Sequence, residues 1–236
     1  ADDGSTPETK DLLNTMIRNT SLKIIHVWHE DNGFQKTRIL NKAILAATSD
    51  YCIFTDGDCI PREDFVEIHL LHKSIGYFLS GGHFPLSLEI SNLISNNDIL
   101  SQNCFDLKWL KNKGLHSSFK EVKLSKNRHV VRLLNFITPT KPTWNGGNAS
   151  AWKKDIIAIN GFDERMKYGG EDREFGERLV FFGIKPKKIR YYAIVAHLEH
   201  DRGYVNDEAW KLNNEIRKNT SIQHRIKTPY GLNLHV

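Results

Sequence analysis

The sequence has few cysteines and no hydrophobic run long enough to cross a membrane. No apolar stretch approaches the ~18 residues that a membrane-spanning helix requires. Its three cysteines, Cys52, Cys59 and Cys104, are an odd number without Cys-x-x-Cys spacing, which supports neither a disulfide framework nor a cysteine zinc knuckle. A reducing compartment fits this usage, and we therefore expect a cytoplasmic protein.

The chain also lacks a large excess of charge of either sign. Its 33 Lys and Arg residues against 28 Asp and Glu residues give a net charge of +5, which suits an anionic substrate or a peripheral contact with the anionic inner face of a membrane. The sequence has no recognition-helix signature, no base-stacking aromatic motif and no long Lys/Arg tract, so we expect no nucleic acid partner. No protein partner is predicted either.

Short apolar strands alternate with helical patterns in the first half of the chain. This order predicts an α/β fold with a mostly parallel central sheet flanked by helices. The predicted strands are 22–28, 51–55, 78–84 and 191–198. One predicted helix begins at Pro7 and another begins at Asn206. The other predicted helices are 37–47, 61–71, 155–159 and 171–182.

A length of 236 residues suits one catalytic domain, 1–236. Its composition suggests four segments, 1–86, 87–141, 142–205 and 206–236. The second segment is rich in Asn, Ser and Lys and is expected to be a variable helical insert, and 144–152 is expected to be a loop.

Two carboxylates follow the predicted strand 51–55. Asp56 and Asp58 flank Gly57, and like charges this close repel unless a cation or hydrogen-bond donors compensate. A divalent ion could bridge such carboxylates to a diphosphate. Asp-Gly is equally typical of a turn, so both interpretations stay open.

Two histidines follow the predicted strand 191–198. His197 and His200 are three residues apart and lie beside Glu199 and Asp201, which suits Mn²⁺ better than a structural zinc site. The alternative is that His197 is buried and only His200 faces a site.

Glycines adjoin polar or aromatic residues at two further places. Gly169 and Gly170 precede Glu171 and Asp172 at a helix start, where acids either complement the macrodipole or supply a general base. The segment 144–150, Trp-Asn-Gly-Gly-Asn-Ala-Ser, could cover a sugar ring and bind its hydroxyls, or form a simple turn.

The order of the motifs is more specific than any one of them. It runs Asp-Asp-Gly-Ser at 2–5, Asp-Gly-Asp-Cys-Ile-Pro at 56–61, Trp-Asn-Gly-Gly-Asn at 144–148, Asn-Gly-Phe-Asp-Glu at 160–164, Gly-Gly-Glu-Asp at 169–172 and His-x-x-His at 197–200. In this order the sequence resembles the family-two glycosyltransferases with the GT-A fold. Its C-terminal half is similar to β-1,4-galactosyltransferases and to chondroitin- and polypeptide-GalNAc-transferase catalytic domains. The resemblance covers most of the chain and is weakest across 87–141.

The resemblance implies a role for each motif. The segment 1–86 becomes a nucleotide-binding half, 142–205 an acceptor and catalytic half, and 206–236 a C-terminal tail. The implied roles are nucleoside contact for Asp2 and Asp3, metal, diphosphate and ribose contact for Asp56, direct metal ligation for Asp58 and His200 with His197 as a further ligand, acceptor contact for Glu171, general base for Asp172, and a sugar pocket lined by Trp144, Gly146, Gly147 and Asn148.

The implied reaction is an inverting, metal-dependent transfer with Mn²⁺ or Mg²⁺. A hexose or N-acetylhexosamine would pass from a UDP-sugar to a hydroxyl of a glycan acceptor, for example a bacterial surface polysaccharide. The alternative is a non-catalytic nucleotide-sugar or glycan-binding domain derived from such an enzyme. A glycoside hydrolase using Glu171 and Asp172 is disfavoured, because adjacent residues on a helix diverge by about 100° and flank one bond poorly.

Two departures from the family pattern bear on the nucleotide site. The family has a strand and helix ahead of Asp-Asp-Gly-Ser, so we expect either a fragment or a pocket that is completed in another way. Leu40 and Asn41 stand where many relatives have Arg-Asn. We expect Arg38 to replace the arginine and Asn41 to keep its place in the donor site.

Overall fold

A computed structural model describes residues 1–201 and 206–235. The helices are α1 (Pro7–Arg18), α2 (Lys36–Ala46), α3 (Phe65–His72), α4 (Leu88–Leu93), α5 (Asn96–Leu100), α6 (Leu107–Asn112), α7 (Arg128–Ile137), α8 (Lys153–Ala158), α9 (Glu171–Phe181) and α10 (Asp207–Ile222). The strands are β1 (Tyr51–Phe54), β2 (Cys59–Pro61), β3 (Tyr77–Ser80), β4 (Gly82–Pro85), β5 (Ala149–Trp152), β6 (Lys185–Lys188) and β7 (Ile194–His197). Short 3₁₀ helices lie at Asn103–Phe105, Phe119–Leu124 and Leu232–Leu234. Among the described helices, none combines the length and the apolar character that a membrane span needs.

The chain forms two compact units. The first comprises Ala1–Cys52, Lys153–Phe182 and Gly203–Val236, and the second comprises Ile53–Trp152 and Gly183–Arg202. The first unit contains α1, α2, α8, α9, α10 and the first two residues of β1. The second contains the rest of β1, the strands β2 to β7 and the helices α3 to α7. The segment boundaries at 86, 141 and 205 stay a prediction. Residues 202–205, at the end of the third segment, lie outside the described residues.

The strands form two mixed sheets. One has the strand order β1-β5-β3-β6 and the other the order β2-β7-β4. β3 pairs antiparallel with β5 and parallel with β6, while β7 pairs antiparallel with β2 and parallel with β4. The predicted α/β class is confirmed, but the expectation of a mostly parallel sheet is wrong.

A glycine explains part of this difference. The predicted strand 78–84 is two strands in two sheets, and Gly81 separates them. The Gly81 N–H donates to the Asn148 carbonyl oxygen at 2.9 Å. A Cβ at Gly81 would lie 1.8 Å from Asn148 Oδ1, so only glycine lets the chain turn here from one sheet to the other.

Other differences concern short segments. The predicted strand 22–28 is wrong: it forms one parallel bridge, between Asp2 and Trp28, and Leu22 and Ile25 remain exposed without a core to cover them. The predicted loop 144–152 ends in β5. β6 was not predicted, because Lys-Pro-Lys-Lys has no apolar alternation. The predicted helices are confirmed within a few residues at each end, except that Pro61, the predicted start of one helix, ends β2, and that helix begins at Phe65.

The insert at 87–141 is helical, as predicted, and it packs on the three-stranded sheet. Ile60, Phe84 and Ile194 of that sheet share a buried apolar cluster with Ile90, Phe105, Leu110 and Leu124 of the insert. Each such side chain contributes about 1.5–3 kcal/mol when fully buried. The insert is therefore packed as part of the second unit.

Candidate active site

Strand register places the acidic motif beside the histidines in the second unit. The antiparallel pairing of β2 with β7 sets Cys59 opposite His197, and the Leu198 N–H donates to the Asp58 carbonyl oxygen at 2.8 Å. The motif itself is a turn rather than extended chain, because the Cys59 N–H donates to the Asp56 carbonyl oxygen at 3.1 Å. The Asp-Gly-Asp motif therefore forms a turn, and this turn holds the two carboxylates.

Two imidazoles converge on one carboxylate oxygen. Asp58 Oδ2 lies 3.0 Å from His200 Nε2 and 3.3 Å from His197 Nε2. Burial by itself raises the pKa of Asp58, but the neighbouring His197 and the hydrogen bond from His200 outweigh it, so the pKa is lowered. The structure thereby brings together three residues that are 142 positions apart at most in sequence.

The hydrogen bonds around Asp58 favour a positive ion. His200 Nδ1 lies 2.8 Å from the Asp201 carbonyl oxygen. In the neutral ring, Nδ1 therefore carries the proton and donates to that oxygen, and the lone pair of Nε2 faces the Asp58 carboxylate. A proton or a metal ion must separate two such acceptors. Within residues 1–201 and 206–235, Asp58 Oδ1 is buried and accepts no hydrogen bond. A histidine that donates its second N–H to a carbonyl is also typical of metal ligation.

A thiol that sequence reasoning did not assign adjoins this centre. Ligand atoms of Asp58, Cys59 and His197 all lie within 4.8 Å of one another. Burial and the nearby Asp58 and Asp56 carboxylates raise the pKa of the Cys59 thiol. Carboxylate and imidazole groups together fit Mn²⁺, a harder ion than those that thiolate sites select. The only sequence signal for Cys59 was its place next to Asp58.

His83 is a second residue that was missed. Its Nδ1 accepts a hydrogen bond from the Asn145 side-chain amide at 2.8 Å, and its ring centroid lies 6.1 Å from that of His197. Burial and the neighbouring His197 lower its pKa to about 4. A Cβ at Gly147 would lie 2.6 Å from His83 Nε2 and 3.1 Å from Asp56 Oδ2. Gly147 is therefore needed to let the loop backbone approach these groups.

Two side chains of the same loop do not have their predicted role. Trp144 is 1% exposed and packs against Phe54 and Phe78, with ring centroids 5.2 and 5.7 Å away. Asn148 is fully buried, and its amide nitrogen donates to the carbonyl oxygens of Gly82 and Ala193. Neither side chain has surface to offer a sugar ring. The prediction that they line the sugar pocket is corrected: both hold the loop in place.

In the first unit, the Gly-Gly-Glu-Asp motif forms a tight entry to α9. Gly169 and Gly170 have φ values of 110° and 93°, a left-handed conformation that glycine adopts without strain. The Gly169 N–H donates to Glu171 Oε2 at 2.8 Å. Burial, together with the charge of Asp172, raises the pKa of the buried Glu171 carboxyl. Asp172, the predicted base, is partly exposed.

An aromatic side chain from the C-terminal helix α10 adjoins this motif. A Cβ at Gly169 would lie 2.7 Å from Trp210 Cε2, so the indole ring packs directly on the glycine backbone. Trp210 is 40% exposed, and its ring meets Tyr168 edge to face at 6.4 Å. Sequence reasoning missed it, because one tryptophan in a helical tail carries no motif.

The predicted donor contact of Asn41 is also corrected. Asn41 is fully buried in α2; its amide nitrogen donates to the Phe162 carbonyl oxygen at 2.9 Å, and its Oδ1 accepts the Phe162 N–H at 2.8 Å. It also donates to Glu164 Oε1 at 2.9 Å. Asn41 therefore fastens the Asn-Gly-Phe-Asp-Glu segment to α2. Arg38 is exposed, and its phosphate contact stays a prediction.

The first acidic motif is engaged with histidines of the same unit. Asp2 Oδ2 lies 2.8 Å from His26 Nε2, and Asp3 Oδ1 lies 2.6 Å from His29 Nε2. Asp3 Oδ2 also accepts the Gln35 N–H at 2.8 Å. A nucleoside contact by Asp2 and Asp3 stays a prediction, and the two histidines are residues that the sequence did not indicate.

Comparison with known families gives two matches. Residues 1–74 match the model described as glycosyl transferase family 2, and residues 128–201 match the model described as the N-terminal domain of galactosyltransferase. The chain is 26% identical over 250 aligned positions to chondroitin synthase from Escherichia coli and 27% identical over 250 to hyaluronan synthase from Pasteurella multocida. The alignments cover 98% and 97% of this chain but 34% and 24% of those proteins, so the chain spans about a third of the first and a quarter of the second.

Two solved structures share the fold. One is a mannosyltransferase from Pyrobaculum calidifontis in complex with GDP-Man and Mn²⁺, with a TM-score of 0.53 and 15% identity over 94% of this chain and 53% of that chain. The other is GalNAc-T7 with UDP, GalNAc and Mn²⁺, with a TM-score of 0.55 and 13% identity over 96% of this chain and 44% of that chain. They show that the chain has the GT-A fold, and residues 1–74 are similar to the family 2 glycosyltransferases.

Proposed function

We propose that the protein transfers a hexose or N-acetylhexosamine from a UDP-sugar to a glycan hydroxyl, with inversion and with Mn²⁺ or Mg²⁺. The observation that carries the proposal is the convergence of His197 and His200 on Asp58 Oδ2, beside a buried Asp58 oxygen that accepts no hydrogen bond within the described residues. Support also comes from the two structural neighbours, which are complexes with Mn²⁺ and a nucleotide or nucleotide sugar. A bacterial surface polysaccharide is the acceptor class we favour.

The residues of the second unit are assigned to the donor. Asp58, His197 and His200 would hold the cation, and Asp56 would contact the diphosphate and ribose. When bound, a divalent cation neutralises charge that grows on the departing nucleoside diphosphate. The backbone of Gly146 and Gly147 would border the donor sugar.

The residues of the first unit are assigned to the nucleoside and the acceptor. Asp172 takes the proton of the acceptor hydroxyl as that oxygen attacks the anomeric carbon and the bond from that carbon to the diphosphate breaks. An ordinary carboxyl group is ionised at neutral pH, and general-base assistance is typically worth ~10²–10⁴-fold in rate. Asp2 and Asp3 would contact the nucleoside, and Arg38 a phosphate.

Two side chains are assigned to acceptor binding. Glu171 holds the Gly169 N–H and thereby sets the shape of the motif that contacts the acceptor. The half-exposed Trp210 ring offers a plane beside that motif, and aromatic planes cover the apolar faces of sugars.

A peripheral contact with the anionic inner face of a membrane is the location we propose. Helix α7 exposes Leu133, Phe136 and Ile137 and also carries Arg128 and Arg132. Apolar side chains beside basic ones suit insertion among anionic lipid head groups.

The test is a screen of sugar transfer and nucleotide-sugar hydrolysis with and without Mn²⁺, on the wild type and on Asp172→Asn. We expect metal-dependent turnover of a UDP-sugar by the wild type, and a variant that binds UDP normally but has lost transfer by ~10²-fold or more. Normal transfer by the variant would show that Asp172 is not the base. Binding of UDP by the wild type without turnover would identify the alternative, a non-catalytic nucleotide-sugar-binding domain.

A further inference from the structure

One face of α10 runs along the Gly-Gly-Glu-Asp motif within the first unit. Trp210, Asn213 and Arg217 are three and four positions apart in this helix, a spacing that places side chains on one face. Trp210 packs on Gly169, and Arg217 Cδ would lie 3.3 Å from a Cβ at Gly170. Asn213 lies between these two side chains in the helix and is fully buried. The centre of the contact is therefore a buried amide.

The Asn213 amide binds the backbone of the segment that leads into the motif. Its nitrogen donates to the carbonyl oxygens of Lys167 and Gly169, each at 2.9 Å. The same nitrogen lies 3.2 Å from the Tyr168 carbonyl oxygen, and Asn213 Oδ1 accepts the Lys167 N–H at 3.2 Å. A buried carbonyl that lacks a donor is costly. One side chain thus fixes the direction of three successive peptide groups directly before Gly170.

The first turn of α9 takes its position from this segment. Gly170 is the N-cap residue, and among the described residues no side chain caps the start of α9. The first N–H groups of a helix have no partner inside the helix, so the first turn depends on the chain that enters it. Glu171 and Asp172 are the first two residues of α9. The carboxylate assigned as general base therefore follows the segment that Asn213 holds.

We propose that Asn213 is a positioning residue for sugar transfer: it holds the backbone of 167–169 so that Asp172 meets the attacking hydroxyl at the required distance. The inference rests on the proposed function, because it takes Asp172 as the base. Asn213 is fully buried, so it acts through the segment and not by contact with a substrate. A displacement of about 1 Å in a reacting group can cost ~10²-fold in rate.

The experiment is a double-mutant cycle on the full chain with Mn²⁺. Turnover of UDP-glucose, UDP-galactose, UDP-N-acetylglucosamine and UDP-N-acetylgalactosamine is measured with water as the acceptor, which requires no known glycan. A serine hydroxyl cannot donate to three carbonyls, so Asn213→Ser should lower kcat about 10–10²-fold while the UDP-sugar KM stays within about twofold. In the Asp172→Asn background the same replacement should change the residual rate less than about twofold, because the base is already absent.

Two control variants separate positioning from stability. Asn214→Ser makes the same replacement at the next position of α10, which is exposed, and should keep the wild-type kcat. Thr220 is fully buried in α10, and its hydroxyl donates to Glu174 Oε1 at 2.9 Å. Thr220→Val should therefore lower Tm, because it removes a buried hydrogen bond, but should leave kcat within about twofold.

Three results overturn the inference and leave the proposed function standing. An equal fall in rate on replacing Asn213 with and without Asp172 would show that Asn213 does not act through the base. A fall in kcat of the same size in Thr220→Val would assign the effect to the stability of α10. Loss of UDP binding and of the far-ultraviolet circular dichroism signal in both Asn213→Ser and Asn213→Ala would make Asn213 a folding residue.

A fourth result concerns the wild type. Binding of UDP without turnover of any of the four UDP-sugars, and without sugar transfer, would remove the proposed function and the inference together.

Discussion

A buried histidine makes the second unit sensitive to acid. His69 in α3 is fully buried, with Nδ1 2.7 Å from Ser150 Oγ and Nε2 3.0 Å from Asn148 Oδ1. The Asn148 amide nitrogen already donates to two carbonyl oxygens, so Nε2 carries the proton and Nδ1 accepts from the Ser150 hydroxyl. A second proton on the ring would remove that acceptor. Burial accordingly lowers the pKa of His69 from 6.5 to about 4.

The sign and size of the effect follow from linkage. Between pH 4 and 6.5 the unfolded chain binds this proton and the native state does not, so the free energy of unfolding falls as the pH falls. For a pKa of about 4 against 6.5, going from pH 7 to pH 5 costs about 2 kcal/mol. The loss begins as the pH falls through 6.5 and is complete below pH 4.

Urea unfolding followed by circular dichroism at pH 7 and pH 5 measures this quantity. The variant His69→Gln, whatever its stability at pH 7, should lose about 2 kcal/mol less than the wild type between the two pH values. His83 titrates in the same window and is present in both proteins, so the comparison isolates His69. The control is His116→Gln at an exposed position, which should keep the wild-type difference. An equal pH dependence in His69→Gln and wild type would refute the reasoning.

Two further predictions concern acceptor and membrane contacts. Trp210→Ala should raise the acceptor KM about 3–10-fold with little change in kcat, because ring stacking contributes to binding rather than to the chemical step; steady-state kinetics checks this, and an unchanged KM would remove Trp210 from the acceptor site. Phe136→Asp should release the protein from vesicles that contain anionic lipid, whereas Leu100→Asp, at another exposed apolar position, should not; sedimentation with vesicles checks this, and equal behaviour of the two variants would exclude α7 as the contact.

Local signals were sufficient to predict most elements and the proximity of Asp58, His197 and His200. The helices α1, α2, α8, α9 and α10 follow from capping, periodicity and glycine stops, and each lies close to its predicted range. Asp58, His197 and His200 were identified because motifs at strand ends meet at a sheet edge. The register of β2 against β7 then joins them.

The side-chain orientations in the candidate site depend on tertiary packing, which a local sequence pattern does not reveal. Trp144, Asn148 and Asn41 carry the chemistry of a sugar or nucleotide contact, but all three side chains are buried. The amide nitrogens of Asn148 and Asn41 donate to backbone carbonyl oxygens. A residue type shows what a side chain can bind and not which way it faces. His83 and Trp210 were missed for the converse reason, since their neighbours come from distant parts of the sequence.

The convergence of Asp58, His197 and His200 on one cation is the central claim. Its most direct test is a titration of the protein with Mn²⁺, monitored by the paramagnetic resonance signal of free Mn²⁺, with wild type, Asp58→Asn and the control Glu63→Gln. Glu63 is a carboxylate of the same unit that is 62% exposed and pairs with Lys126. We predict one site in the wild type and in Glu63→Gln, with affinity weakened at least about 10-fold in Asp58→Asn. Equal Mn²⁺ binding by all three proteins would contradict the account.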